Sequence, residues 1–142
     1  MLEIKILKTP HTFAANSYLI SSAGEYAIID PTAPYDKEIC SDQVKYILLT
    51  HAHFDHVMGI DGFVKEFDIP VYLHEEEKQV LEDPKMNLSG VFGASYSYHK
   101  VECLQDGQIL EVAGFKFKVI HTPGHTAGGC CYYEEAEGVL FS

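Results

Sequence analysis

The sequence contains no arginine and no tryptophan, and its ten basic residues are all lysine. Against 21 aspartates and glutamates, these lysines leave a formal charge of −11. Nucleic-acid binding requires a basic surface, and sequence-specific binding usually uses arginine forks on guanines or phosphates. The composition therefore argues against a nucleic-acid partner and against attachment to an anionic membrane.

Long apolar runs are also missing. No stretch approaches the ~20 consecutive apolar residues that span a bilayer. Residues 1–10 alternate charged and apolar side chains and lack the apolar core of a signal peptide. We therefore expect a soluble, cytoplasmic protein.

Cysteine is scarce and unpatterned. The four cysteines form neither a C-x-x-C metal motif nor a dense disulfide framework. They are Cys40, Cys103, Cys130 and Cys131. Reduced, partly buried thiols are the expectation.

What is present is the composition of one globular domain, residues 1–142, with 46% apolar and 22% charged residues. A chain of this size buries roughly two-thirds of its extended surface, so a core is feasible. The chain ends inside the apolar run 139–142, where few domains end, and we expect it to be part of a longer protein, incomplete at its C-terminus.

Hydrophobic periodicity predicts a mixed α and β fold with a β-α-β crossover in its middle. Residues 83–100 show no clean period and predict a long loop. The predicted strands are 2–6, 16–20, 26–29, 44–50, 71–73, 110–112, 115–120, 130–133 and 139–141, with a hairpin turn at 21–24. The predicted helices are 36–40, 56–67 and 75–81.

The strongest chemical signal is the motif His51-Ala-His53-Phe-Asp55-His56, directly after the apolar strand 44–50. Residues two apart in an extended segment point the same way, so His51 and His53 can bind one metal ion. A turn after the phenylalanine would direct Asp55 and His56 toward a second ion. Open sheets collect ligands at the carboxyl ends of their strands, which is where this motif lies.

A second motif, HTPGHTAGG, occupies residues 121–129 after a predicted strand. Pro123 and Gly124 favour a tight turn that presents His125 toward the same edge. His125 would complete three nitrogen ligands and leave a fourth position open, as in catalytic zinc sites. His121 ends the strand, and we expect it to pack in the fold or to support a metal ligand rather than to bind the metal itself.

Other polar and aromatic residues are expected to have no direct role in the chemistry. Glu75, Glu76 and Glu77 are predicted to form a solvated helix face. The remaining residues in this class are His11, His74, His99, Tyr96 and Tyr98.

Four blocks of the chain resemble, in order and spacing, the metallo-β-lactamase superfamily and, within it, the glyoxalase-II-like (hydroxyacylglutathione hydrolase-like) metallohydrolases. The blocks are residues 16–20 (NSYLI), 28–31 (IIDP), 48–59 (LLTHAHFDHVMG) and 122–128 (TPGHTAG). The resemblance implies the αββα fold, of the α+β class, with this chain supplying the first αβ half and the start of the second.

The resemblance also implies a ligand set. His51, His53 and His125 would bind a first metal, and Asp55 and His56 a second. In the family a water or hydroxide between two ions attacks a carbonyl carbon, and Asp55 would also act catalytically by orienting it. The implied metal is zinc, up to two ions in the complete protein, with iron or manganese as alternatives.

Two further implications concern the substrate and a structural residue. The substrate would be a small acyl compound, above all a thioester such as an acylglutathione. Asp30 resembles a buried aspartate that orients the ligand loop without contacting metal.

One departure limits the expected activity. The family places a bridging aspartate just after a strand equivalent to 138–142 and a last metal-binding histidine further on, and the given sequence ends before either. We therefore expect the chain alone to bind metal weakly and to turn over poorly.

Three alternatives remain open from the sequence. The same scaffold with iron serves persulfide dioxygenases and diiron oxidoreductases, and imidazole and carboxylate ligands suit both metals. Lactone or β-lactam hydrolysis is a second alternative. The third is a non-enzymatic fragment that self-associates through the truncated sheet.

Overall fold

The computed structural model describes residues 3–7, 16–22, 24–32 and 44–142. The helix predicted at 36–40 and the side chains of His11 and Cys40 lie outside these residues. The described chain forms two β-sheets with short helices on the outer face of the first.

The first sheet has six strands in sequence order, β1 to β6. β1 to β3 pair antiparallel, whereas β3 to β6 run parallel. β2 and β3 pair as far as Ser22 and Glu25, which confirms the predicted hairpin. The strands are β1 (Glu3–Leu7), β2 (Ser17–Ser22), β3 (Glu25–Ile29), β4 (Val44–Leu48), β5 (Val71–His74) and β6 (Glu102–Leu104).

The second sheet is antiparallel, in the order β10-β9-β8-β7. Each of its strands coincides with a strand predicted from an apolar run in the sequence. The strands are β7 (Ile109–Val112), β8 (Phe115–His121), β9 (Cys130–Glu134) and β10 (Val139–Phe141).

Helices connect the parallel strands and cover one face of the first sheet. α1 (Phe54–Val57) and α2 (Ile60–Glu66) lie between β4 and β5, which confirms the β-α-β crossover. α3 (Lys78–Glu82) follows β5 after a three-residue 3-10 helix, Glu75–Glu77. The predicted helix 56–67 is thus divided in two, because the Gly59 N–H donates to the Pro31 carbonyl at 2.9 Å instead of continuing α1.

Two hydrophobic clusters lie on the two faces of the first sheet. One joins the sheet to the helices, and the other joins it to the second sheet. The alternation along the strands produces this division: Ile28 faces the helices, whereas Ala27 and Ile29 face the second sheet. The layers are therefore helix, sheet and sheet, and both sheets contribute to one edge of the molecule.

The long segment predicted to be a loop, residues 83–100, has no helix or strand longer than the 3-10 helix Ser89–Phe92. It is held by the buried Asn87, whose side-chain amide donates to the carbonyls of Leu81 and Tyr96. β6 follows this loop and was not predicted from the sequence.

Candidate metal centre

The candidate site forms where the parallel strands end. Asp30 follows β3, His51 lies three residues after β4, and His74 ends β5. The Cys130 N–H at the start of β9 donates to the Thr50 carbonyl at 2.8 Å and so fixes the second sheet to the same edge. The topology therefore brings two distant sequence motifs together.

His125 lies on the turn between β8 and β9. The Thr122 N–H donates to the Gly129 carbonyl at 2.8 Å, and the Gly124 N–H to the Thr126 carbonyl at 3.0 Å. Gly124 has a φ of +150°, and the backbone would be strained if this residue carried a side chain. The Pro-Gly turn predicted from the sequence thus presents His125 at the edge of the sheets.

His51, His53 and His125 form a compact group whose ligand nitrogens all lie within 4.8 Å of one another. Nδ1 of His53 is 3.0 Å from Nε2 of His125. The three rings are nearly perpendicular in pairs, with interplanar angles of 83°, 85° and 77°. Rings in this arrangement direct their nitrogens to a common point, as ligands of one tetrahedral ion do.

The protonation of this group suits a metal site. Burial, together with repulsion from His56, His53 and His125, lowers the pKa of His51 to about 3. Burial and His125 also lower the pKa of His53. His51 and His53 are therefore neutral at pH 7, the form in which histidine binds a metal.

A second group shares His51 with Asp55 and His56, again with ligand atoms within 4.8 Å. Nε2 of His56 lies 3.8 Å from Oδ2 of Asp55. α1 begins at Phe54, so its first turn carries both residues toward His51. All five sequence-predicted ligands are thus brought to one place, and their roles as ligands remain predictions.

Asp30 contacts residues of the candidate site but belongs to neither ligand group. Its carboxylate accepts the Thr50 N–H at 2.8 Å and the Thr50 hydroxyl at 2.6 Å, and it lies 2.8 Å from Nδ1 of His56. The residue is buried. These contacts are those of an orienting residue, as the resemblance implied.

Glu77 differs from its prediction as part of a solvated face. Its side chain is wholly buried, at 0% exposure, whereas Glu75 and Glu76 are exposed. Its Oε2 accepts the Ala52 N–H at 2.7 Å, and its Oε1 accepts the Gly128 N–H at 3.0 Å. Sequence reasoning missed this residue, although its spacing from the buried Val80 and Leu81 is that of one helix face.

A third group of potential ligands consists of His74, Glu76 and His121. Its two rings are stacked, with centroids 3.9 Å apart and an interplanar angle of 8°. Parallel rings cannot direct their nitrogens at one ion, and Nε2 of His121 instead lies 2.9 Å from the Ala127 carbonyl. His121 thus braces the turn that carries His125, in agreement with the packing role expected for it.

His99 and Tyr96 lie outside the metal groups. Nδ1 of the exposed His99 is 2.6 Å from the Glu82 carboxylate. The Tyr96 hydroxyl donates to Asp61 at 3.0 Å, and its ring lies 6.1 Å from that of Phe54. Phe54 stands between two predicted ligands, so the loop 83–100 borders the site.

The donor set fits a divalent transition metal. Three imidazoles with a solvent-exposed member, His125, leave a side of the group accessible, which distinguishes catalytic zinc sites from closed structural ones. The adjacent carboxylate and imidazole of Asp55 and His56 suit zinc and iron alike. The three cysteines in the described residues, Cys103, Cys130 and Cys131, belong to none of the ligand groups and form no disulfide.

None of the helices in the described residues has the length and hydropathy of a bilayer-spanning segment, and α2, with seven residues, is the longest of them.

Comparison with curated proteins finds metallo-hydrolases. The chain is 36% identical over 139 residues to the probable metallo-hydrolase YqgX of Bacillus subtilis (strain 168), covering 90% of this chain and 64% of that protein. It is 32% identical over 139 residues to the probable polyketide biosynthesis zinc-dependent hydrolase BaeB of Bacillus velezensis, covering 92% of this chain and 56% of that protein. The chain spans about 60% of the length of these relatives.

Solved structures show the same fold. The B3 metallo-β-lactamase BLEG-1 superposes with a TM-score of 0.81 at 35% identity, over 99% of this chain and 70% of that one. TTHA1623, solved in a di-iron-bound form, superposes with a TM-score of 0.71 at 29% identity, over 88% of this chain and 64% of that one. Zinc-dependent and iron-bound proteins are therefore both among the similar ones.

The model of the metallo-β-lactamase superfamily matches residues 12–142, which is nearly the whole sequence and includes all five predicted ligands. Together with the two-sheet fold and the three converging imidazoles, this match shows that the chain belongs to the metallo-β-lactamase superfamily.

Proposed function

We propose that the protein is a metal-dependent hydrolase of small acyl compounds of the glyoxalase-II-like type, with zinc as the metal and a thioester such as an acylglutathione as the substrate class. The observation that carries the proposal is the convergence of His51, His53 and His125 on one accessible point. The zinc-dependent relative BaeB and the metallo-hydrolase YqgX support the hydrolytic class.

The chain's own residues have separable tasks in this proposal. The three histidines would hold the ion through their ring nitrogens, and the ion, when bound, would supply Lewis acidity and a hydrolytic nucleophile from water at neutral pH. Asp55, whose side chain is 34% exposed, would accept a hydrogen bond from that water and so orient it. Asp30 fixes the ring of His56 through Nδ1.

A thioester suits this site because of its leaving group. A thiol has a pKa near 8.5, so a thiolate departs at neutral pH without a proton donor. An amide leaving group needs a proton donor. Among the candidate ligand histidines, His51 cannot act as this donor, because burial lowers its pKa. Nδ1 of His56 is already hydrogen-bonded to Asp30.

The surroundings of the site also favour an acyl substrate. The ring of Phe92 lies 5.8 Å from that of Phe54, which is flanked by two predicted ligands. Phe92 is 55% exposed and its neighbour Val91 is 79% exposed. These side chains offer apolar surface to the acyl part of a substrate bound at the metal.

A direct assay tests the proposal. We expect the zinc-loaded chain to release thiol slowly from an acylglutathione, in line with the poor turnover expected of it, as read with a chromogenic thiol reagent. His125→Ala should abolish the release. His99→Ala is the matched control, because this exposed histidine pairs with Glu82 and lies in no ligand group with the three. Zinc-loaded protein that leaves every thioester in a graded acyl series intact would overturn the proposal.

β-Lactam hydrolysis is the second candidate, favoured by the similarity to BLEG-1. The same preparation is therefore assayed with a chromogenic cephalosporin. Cleavage of the cephalosporin without thioester cleavage would replace the first candidate by the second.

Iron in place of zinc after purification without added metal would favour the redox alternative, in line with the di-iron form of TTHA1623.

A further inference from the structure

Glu77 is a buried carboxylate that the proposed chemistry does not use. It ends the 3-10 helix Glu75–Glu77 and is fully buried. Burying a carboxylate is costly unless hydrogen bonds or a nearby positive charge compensate it. In the described residues, two backbone N–H groups donate to the Glu77 carboxylate.

The contacts of Glu77 join the two segments that carry the three converging histidines. Ala52, whose N–H it accepts at 2.7 Å, stands between His51 and His53. Gly128, whose N–H it accepts at 3.0 Å, stands three residues after His125. One carboxylate thus joins Ala52 and Gly128, which are 76 positions apart in the sequence.

The approach of the backbones at this place is unusually close. A Cβ at Gly128 would lie 2.1 Å from the Glu77 nitrogen and 2.6 Å from its Cα. The glycine therefore lets the turn of His125 rest directly on the 3-10 helix. The Glu77 side chain then reaches one amide of each histidine segment.

Glu77 also brings a carboxylate close to the histidines. Its Oε2 accepts the N–H of Ala52, so this oxygen lies beside the residue that separates His51 from His53. In the described residues, no ion pair accompanies the two amide contacts of the carboxylate. A cation held by the histidines would supply the positive charge that this carboxylate lacks.

We propose that Glu77 is a positioning residue of the metal centre: its carboxylate sets the spacing between the His51–His53 segment and His125, and its charge strengthens the binding of a divalent cation. The proposal rests on the proposed function only in requiring that these histidines bind metal. It assigns no contact between Glu77 and the substrate.

The test is a zinc titration against a competing chromophoric chelator, with Glu77→Gln compared with the wild-type chain. Residues behind metal ligands typically change metal affinity 10- to 100-fold when altered, so we expect the zinc dissociation constant to rise about tenfold or more. Glu75→Gln is the matched control, since it removes one exposed charge from the same 3-10 helix. Cobalt(II) replaces zinc in a second titration, and its visible spectrum at saturation is expected to differ between Glu77→Gln and Glu75→Gln.

A merely structural role predicts a different pattern. It would lower the unfolding midpoint of metal-free Glu77→Gln and leave the zinc constant and the cobalt spectrum equal to those of the control, and this result overturns the proposal. Absence of zinc binding by the wild-type chain would instead refute the metal centre itself. The two failures are thus distinguishable.

The wild-type protein provides a second measurement in case Glu77→Gln does not fold. Because one carboxylate holds both amides, zinc is expected to slow hydrogen exchange at Ala52 and Gly128 together. Zinc binding that protects neither amide would overturn the proposal.

Discussion

Oδ2 of Asp30 lies 2.8 Å from Nδ1 of His56, and the same carboxylate holds Thr50 through its N–H and its hydroxyl. A carboxylate can only accept, so Nδ1 of His56 carries a proton, and Nε2 is the ring nitrogen that a metal would bind. Burial tends to lower the pKa of His56, but the hydrogen bond and charge of Asp30 raise it overall. Asp30 therefore fixes the tautomer and orientation that a metal ligand requires.

Asp30→Asn is expected to weaken the fold at this edge. Asp30 has a φ of +54°, which asparagine also adopts readily, so the backbone can stay as it is. The amide cannot accept all three hydrogen bonds, and we expect the free energy of unfolding to fall by about 1–3 kcal/mol. Urea denaturation of the metal-free protein measures this loss of unfolding free energy. An unchanged midpoint would show that the hydrogen bonds of Asp30 contribute nothing to stability.

Gly128→Ala is expected to destabilise the protein strongly. The new Cβ would lie 2.1 Å from the Glu77 nitrogen, so the backbone must move. Such overpacking costs ~1–3 kcal/mol or more. Gly90→Ala is the control, because its Cβ would meet only the Pro84 carbonyl, at 3.5 Å. Equal urea midpoints for the two variants would contradict the close approach.

The cysteines are expected to react unequally. Burial raises the pKa of the Cys130 thiol to about 12, so almost no thiolate forms at pH 8. Cys103 is exposed. Iodoacetamide at pH 8 should modify Cys103 and spare Cys130 until guanidinium is added, as read by peptide mass spectrometry. Rapid labelling of Cys130 in the folded protein would disprove its burial.

His74 is expected to reduce stability at acidic pH. Burial and the stacked His121 lower its pKa, although nearby carboxylates act in the other direction. The unfolded chain then binds more protons below pH ~6.5, so the contribution of His74 is fully present above that pH and is lost as the pH falls.

The comparison of His74→Asn with wild type isolates this contribution. Nδ1 of His74 accepts the Glu76 N–H at 3.2 Å, and asparagine can replace this N-terminal cap without titrating. We expect the wild-type chain to lose more unfolding free energy than His74→Asn between pH 7 and pH 5, both metal-free. Parallel pH profiles would exclude the effect.

The sequence predicts how each motif presents its candidate ligands, because the geometry within each motif is local. His51 and His53 extend from one strand end, and a Pro-Gly turn presents His125, so residue spacing is sufficient. The crossover also follows from periodicity. The break between α1 and α2 does not, because it depends on a long-range hydrogen bond from Gly59 to Pro31.

Buried polar residues are harder to predict. Glu77 follows two exposed glutamates, and its burial depends on amides contributed by two distant segments. His74 and His121 illustrate the same limit, because only the parallel orientation of their rings separates a packing pair from a pair of ligands. β6 was missed because Glu102 and Cys103 are exposed and only Leu104 is buried, so the segment contains no apolar run.

The central claim is that three histidine nitrogens hold the metal. X-ray absorption at the zinc edge of the zinc-loaded chain tests it most directly. The structure predicts imidazole scattering with zinc–nitrogen distances of ~2.0–2.1 Å, and a weakened imidazole signal in His125→Ala. A sulfur shell at ~2.3 Å, or a spectrum that His125→Ala leaves unchanged, would contradict the account.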